Sequence, residues 1–115
     1  MKLMVIILNK VEALEELLQT FGDNGINGAT ILSSTGMARQ LMGDDDSDIH
    51  FLGSLRALLN PEREENKTVL VVLKDDQVIV AREAVAKVLG DLSKPDTGIL
   101  FTVPVDFIEG GSFHI

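Results

Sequence analysis

Four short apolar runs divide the chain, and their order relative to two helical stripes limits the folds that it can adopt. The runs lie at 3–8, 28–35, 68–73 and 99–105, and their Val, Ile and Thr side chains favour strands. Apolar residues recur at helical spacing over 11–21 and again over 78–89. The predicted order is therefore β-α-β-β-α-β.

This order predicts an α+β, ferredoxin-like fold, in which a four-stranded antiparallel sheet carries two helices on one face. With 115 residues the chain is expected to form a single domain, 1–115, with its own core. The apolar runs do not alternate with polar residues, a pattern typical of strands covered on both faces. Because two helices cover one face only, the pattern predicts that copies of the chain associate through the other face.

Local signals predict where the elements begin and end. Asn9, with Glu12 three residues later, fits a helix N-cap and its reciprocal partner. The second helix is expected to be capped by an Asp of the pair 75–76 and to end at Gly90. Pro104 cannot donate a ladder hydrogen bond, so the last strand is expected at an edge of the sheet.

The composition excludes several classes of function. Eighteen acidic and ten basic residues give a formal charge of −8, which repels nucleic acid. The chain has no Cys, so disulfides and thiolate metal sites are excluded. No leader-like segment and no run of about twenty apolar residues occurs. These features predict a cytoplasmic protein that does not insert into membranes.

A long excursion without a regular pattern is predicted at about 38–67. It contains an acidic segment at 43–48 and apolar residues at helical spacing over 51–59. The acidic segment, with His50 beside it, could hold a hard cation, but it lacks the Gly and the distant Glu of a calcium loop. A solvated acidic turn is the favoured interpretation, and no metal site is assigned. The chain has no recognisable nucleophile with a matching base, so we do not expect an enzyme.

The residues at the start of this excursion suggest a recognition edge. Gly36 ends an apolar run and is flanked by small side chains, which would let a ligand approach the backbone closely. Arg39 and Gln40 follow with a planar cation and an amide. A solvated Arg in an ordinary loop is the alternative interpretation.

Three segments, Thr35 to Gln40, Val71 to Asp76 and Asp96 to Phe101, carry motifs that together resemble the PII family of trimeric signalling proteins. Residues 35–40, Thr-Gly-Met-Ala-Arg-Gln, are similar to the Gly-Phe-Gly-Arg-Gln at the base of the family's T-loop. Residues 71–76, Val-Val-Leu-Lys-Asp-Asp, resemble a family strand followed by Pro-Asp-Asp. Residues 96–101, Asp-Thr-Gly-Ile-Leu-Phe, are similar to Gly-Asp-Gly-Lys-Ile-Phe in its B-loop. The resemblance runs from residue 2 to about residue 105.

The resemblance implies a homotrimer with ligand clefts between neighbouring subunits. In the family these clefts hold ATP or ADP, often with 2-oxoglutarate and magnesium, and the T-loop reports their occupancy to protein partners. A transporter or a metabolic enzyme is the kind of partner implied. The implied ligand-binding residues form two walls and one contact from the neighbouring chain: Gly36, Met37, Ala38, Arg39 and Gln40; Asp96, Thr97 and Gly98; and Thr30.

The chain departs from the family at the phosphate-binding positions. Ile99 stands where the family's B-loop has a Lys, and residues 106–115 contain no Arg. Few positive charges would balance the negative charge of a triphosphate in such a cleft, which argues against ATP. The hypothesis is a small anionic effector, for example an adenine nucleotide with fewer phosphates. A CutA-like structural or metal-handling trimer and a degenerate scaffold that binds only a protein partner are the alternatives.

Overall fold

The computed structural model describes residues 1–42 and 65–111. Four strands and three α-helices lie in these ranges, together with a 3₁₀ turn at Val11–Ala13. The strands are β1 (Lys2–Leu8), β2 (Thr30–Ser34), β3 (Asn66–Leu73) and β4 (Gly98–Pro104). The helices are α1 (Leu14–Asp23), α2 (Met37–Met42) and α3 (Gln77–Leu89). The acidic segment at 43–48, His50, the stripe at 51–59 and the end of the chain at 112–115 lie outside the described residues.

The four strands form one antiparallel sheet in the order β2-β3-β1-β4. Strand β1 pairs with β3 along the whole length of β1, from Lys2 opposite Leu73 to Leu8 opposite Lys67. This order confirms the predicted α+β, ferredoxin-like fold. Strand β4 lies at an edge, as Pro104 predicted, and pairs with β1 on one side.

The hydrophobic core lies between one face of the sheet and the helices α1 and α3. Alternate residues of the two central strands are buried on this face, because successive side chains of a strand point to opposite sides. Leu17 and Phe21 of α1 and Val85 of α3 pack on them. The strand residues of this covered face that are almost fully buried are Met4, Ile6, Leu8, Val69, Val71 and Leu73.

The opposite face of the sheet is also apolar, but neither α1 nor α3 covers it. Its β1 residues are half-buried, and Leu32 at 48% and Phe101 at 42% remain exposed. We call it the open face. The registers place the following apolar residues on it: Leu3, Val5, Ile7, Leu32, Leu70, Val72, Ile99, Phe101 and Val103.

One predicted helix cap is wrong, one lies at the predicted position without a capping hydrogen bond, and one helix end is confirmed. Asn9 does not cap the first helical turn, which begins after Lys10 without a side-chain cap. Asp76 occupies the N-cap position of α3 but makes no capping hydrogen bond; the Gln77 side chain instead accepts one from the Lys74 N–H, at 2.9 Å. Gly90 ends α3 with a φ of 74°, and its N–H donates to the carbonyl of Ala86.

Among the described residues, no helix combines the length and the apolar character that crossing a membrane requires.

Candidate functional site

Two of the predicted site segments lie at the same end of the sheet. Strand β2 ends at Ser34, opposite Asn66 at the start of β3, and β1 ends at Leu8, opposite Gly98 at the start of β4. Gly36–Gln40 and Asp96–Gly98 extend from this end, which we call the Gly36 end. The antiparallel register therefore brings together two segments that are far apart in the sequence.

The first segment is helical rather than extended. After Gly36 the chain enters α2, and the N–H of Gln40 donates to the Gly36 carbonyl at 2.9 Å. Met37 is 71% exposed, whereas Arg39 is half-buried. The sequence did not predict α2, because six residues without apolar periodicity carry no helical signal.

The second segment is a tight turn held against the end of β1. The Thr97 side chain is buried and donates to the Lys94 carbonyl, and the Thr97 carbonyl accepts from the N–H groups of Asn9 and Lys10 at 3.1 and 3.2 Å. Asp96 adopts a φ of 60°, which is uncommon outside glycine. At Gly98 an added Cβ would lie 2.7 Å from the Ile7 carbonyl oxygen, so the close approach of β4 to β1 requires glycine there.

The two segments extend from β2 and β4, which are the outer strands of the sheet and are not neighbours. Strands β3 and β1 lie between β2 and β4. Three inter-strand spacings separate the outer strands, about 14 Å in total. A ligand that contacts both segments must therefore be about as long as a nucleotide.

A polar network lies between the two segments, at the Gly36 end of the open face. The Ser34 hydroxyl donates to Asn66 Oδ1 and lies 2.8 Å from Thr68 Oγ1. Asn66, which is only 9% exposed, donates from Nδ2 to Asn9 Oδ1 at 3.4 Å. A Cβ on Gly36 would lie 3.7 Å from the same Nδ2. Two strands, β2 and β3, and the residue that follows β1 thus contribute hydroxyl and carboxamide groups to the region between the two segments.

This network is not apparent from the sequence, because its members are about thirty to sixty residues apart. The local pattern favours Asn9 as a helix cap, and the apolar run of β3 begins two residues after Asn66. A signal was nevertheless present: Ser34 and Asn66 are polar residues at the ends of two otherwise apolar runs.

Lysine side chains also belong to this end of the sheet, in addition to Arg39. Lys67 Nζ donates to Ser33 Oγ at 2.8 Å and forms an ion pair with Glu65 at 2.9 Å. Lys10 and Lys94 belong to the backbone segments that hydrogen-bond around Thr97. The positive charge at this end is larger than the motif at 35–40 indicates, although Lys67 is partly neutralised by its acidic neighbour.

Thr30 lies at the other end of β2, away from the residues of the Gly36 end. It is four residues before Ser34, so about 13 Å of extended strand separates the two positions. Thr30 lines a groove of about 640 Å³ at that end, together with the 25–29 loop, the end of β3, Lys74, Gln77 and Gly111. Within one chain, Thr30 therefore lies about as far from Ser34 as the two outer strands lie from each other.

Within residues 1–42 and 65–111, no group of three or more His, Asp or Glu side chains is arranged to hold a metal ion. The acidic segment and His50, the sequence's candidates for a cation site, are not among those residues. The carboxylates of the Gly36 end, Glu65 and Asp96, form no such group.

No protein-family model matches the chain, and no curated protein sequence matches it significantly. The class of protein that can be stated is therefore the one that the fold defines, a ferredoxin-like α+β domain.

Proposed function

We propose that the chain is a PII-like regulatory protein that binds a small anionic effector at the Gly36 end of its sheet, in clefts between subunits. The observation that carries this proposal is the arrangement of the two motif segments. Both lie at one end of the sheet and extend from outer strands about 14 Å apart, with hydroxyl and carboxamide groups between them. This arrangement suits an elongated ligand with a polar, hydrogen-bonding body.

The proposal includes assembly, and two observations support it. The open face carries apolar side chains from all four strands, and burying them against other copies removes that surface from water. Thr30 lies about 13 Å from Ser34 at the other end of β2, whereas a neighbour in a ring could bring its own Thr30 closer to the Gly36 end. The number of three subunits comes from the resemblance to the PII family.

The proposed effector carries fewer negative charges than ATP. Arg39 and the lysines of this end offer some compensation for an anion, but Ile99 is apolar, lies on the open face and is 56% exposed. An adenine monophosphate or diphosphate matches both this limited charge and the length that contact with both segments requires. Binding would be reported to a protein partner through the segment at 41–67, and no chemical step is proposed.

Calorimetric titration with AMP, ADP, ATP and 2-oxoglutarate tests the proposal. We expect AMP or ADP to bind more tightly than ATP, and Arg39→Ala to weaken binding roughly tenfold or more, because a hydrogen bond to a charged group contributes about 1.5–3 kcal/mol. Arg39→Lys keeps the charge but loses the planar fork, so an intermediate affinity is expected.

Arg82→Ala is the matched control, since Arg82 is an exposed cation on α3, away from the Gly36 end. It should bind as the unmodified chain does. The absence of binding by all four compounds, or equal losses in the Arg39 and Arg82 variants, would remove the proposed site.

A further inference from the structure

The loop between α1 and β2 contains two Asn-Gly steps, Asn24-Gly25 and Asn27-Gly28. An Asn side chain followed by Gly can undergo deamidation, because the next backbone nitrogen can reach the side-chain carbonyl carbon and Gly offers no Cβ to hinder it. Both steps pair Asn with Gly, although Asp23 precedes one and Ile26 precedes the other. The hydrogen bonds around the two steps differ.

The first step is held in place by hydrogen bonds at the end of α1. Asn24 Nδ2 donates to the Thr20 carbonyl at 2.7 Å, which fixes the side chain along the helix. The N–H of Gly25, whose nitrogen would be the nucleophile, donates to the Gly22 carbonyl at 3.2 Å. Ile26 is buried, and its N–H donates to the Phe21 carbonyl at 2.8 Å, which closes the turn behind the pair.

The second step has none of these restraints. Asn27 and Gly28 are exposed, and neither makes a hydrogen bond within the part of the chain that the structure describes. They precede β2, whose pairing with β3 begins only at Thr30. The side chain of Asn27 and the nitrogen of Gly28 can therefore approach each other without breaking a contact.

We propose that Asn27 is a site of spontaneous deamidation and that the fold protects Asn24. The Gly28 nitrogen forms a bond to Cγ of Asn27, the Cγ–Nδ2 bond breaks, and Nδ2 leaves as ammonia with the proton from the Gly28 nitrogen. Water then opens the cyclic imide at one of its two carbonyls and gives aspartate or isoaspartate. The product carries a new carboxylate in the groove that Asn27 lines with Thr30 and Lys74.

The test is incubation of the full chain at mildly alkaline pH, followed by peptide mapping with fragment-ion mass spectrometry. Replacement of NH₂ by OH should accumulate at Asn27 roughly tenfold faster than at Asn24, a difference of about 1.4 kcal/mol in activation free energy. In urea, where the turn is unfolded, the two rates should become similar. Equal rates in the folded chain, faster reaction at Asn24, or a difference that persists in urea would overturn the proposal.

Gly28→Ala supplies a second test that leaves the fold intact. A Cβ at this position meets no atom within 4 Å, and Gly28 does not have a positive φ that would strain Ala. The added methyl group should slow the reaction at Asn27 roughly tenfold, again about 1.4 kcal/mol, with an unchanged melting temperature. An unchanged rate would show that the Gly28 nitrogen is not the nucleophile. This inference is independent of the proposed effector site.

Discussion

The two faces of the central sheet have similar composition but different surroundings. Ile6 and Ile7 are neighbours in β1, yet Ile6 is fully buried under the helices and Ile7 is half-buried on the open face. Strand β3 shows the same alternation between buried and half-buried apolar residues. The sequence did not reveal this difference, because both faces are apolar. Helix packing explains the covered face, and assembly is our explanation for the open one.

The polar content of the two faces differs at one end. On the open face the apolar rows end in Ser34, Asn66 and Thr68, where the Ser34 hydroxyl hydrogen-bonds to both other side chains in a part-buried place. On the covered face the same end carries Leu8 in the core, with Lys67 and Ser33 beside it in an exposed hydrogen bond. The polar groups of the open face are thus the more buried ones, and we propose the ligand site beside them, at the margin of the proposed interface.

The largest expected effect comes from the pair Ile6→Ala and Ile7→Ala. Ile6→Ala should lower the free energy of unfolding by about 2–5 kcal/mol at every protein concentration, because it leaves a cavity in the core. Ile7→Ala should act mainly on assembly, so its destabilisation should depend on protein concentration. Urea unfolding at two concentrations measures both. A concentration-independent loss for Ile7→Ala as large as that of Ile6→Ala would remove the distinction between the faces.

The next effect concerns the polar end of the open face. Asn66→Ala should lower the free energy of unfolding by about 1–3 kcal/mol, because the Ser34 hydroxyl and the Asn9 amide each lose a partner in a poorly hydrated place. Gln19→Ala, at an exposed polar position on α1, should leave stability nearly unchanged. If urea unfolding gives the two variants the same free energy of unfolding, the network does not stabilise the fold.

The smallest effect on stability is expected at Asp91, which lies on neither face of the sheet. The Ser93 hydroxyl and N–H donate to Asp91 and hold the pKa of that carboxyl below its ordinary value of 3.8. Because the folded pKa is the lower one, the stabilisation is complete above pH 3.8 and is lost as the pH falls through the folded pKa.

Asp91→Asn should therefore flatten the acid end of the stability profile slightly, at every protein concentration. Urea midpoints measured above and below pH 3.8 test this expectation. An unchanged slope in the variant would show that the Ser93 contacts do not persist in solution.

The fold was predictable from the order of its elements. Apolar runs and helical stripes have local signatures, and Pro104 and Gly90 mark an edge and an end by their own backbone chemistry. The resemblance to the PII family selected Gly36–Gln40 and Asp96–Gly98, and the register then brought these segments to one end of the sheet. Their role in binding remains a prediction.

The polar network and the caps were not predictable in this way. Asn9 has a local partner in sequence, Glu12, but in the fold it accepts from Asn66, which is 57 positions away. Such pairs are set by the strand register. A shift of one residue would move every side chain of the strand to the other face of the sheet. Likewise, α2 depends on its surroundings more than on its own six residues.

Sedimentation velocity tests the central claim, that copies of the chain cover the open face. We predict a species of three times the 12.5 kDa chain mass. Phe101→Glu, on the open face, should dissociate it into folded monomers. Phe107→Glu, at a 77% exposed position beyond β4, should not. A chain that sediments as a monomer at every concentration, or that stays assembled with Glu at position 101, would contradict the account.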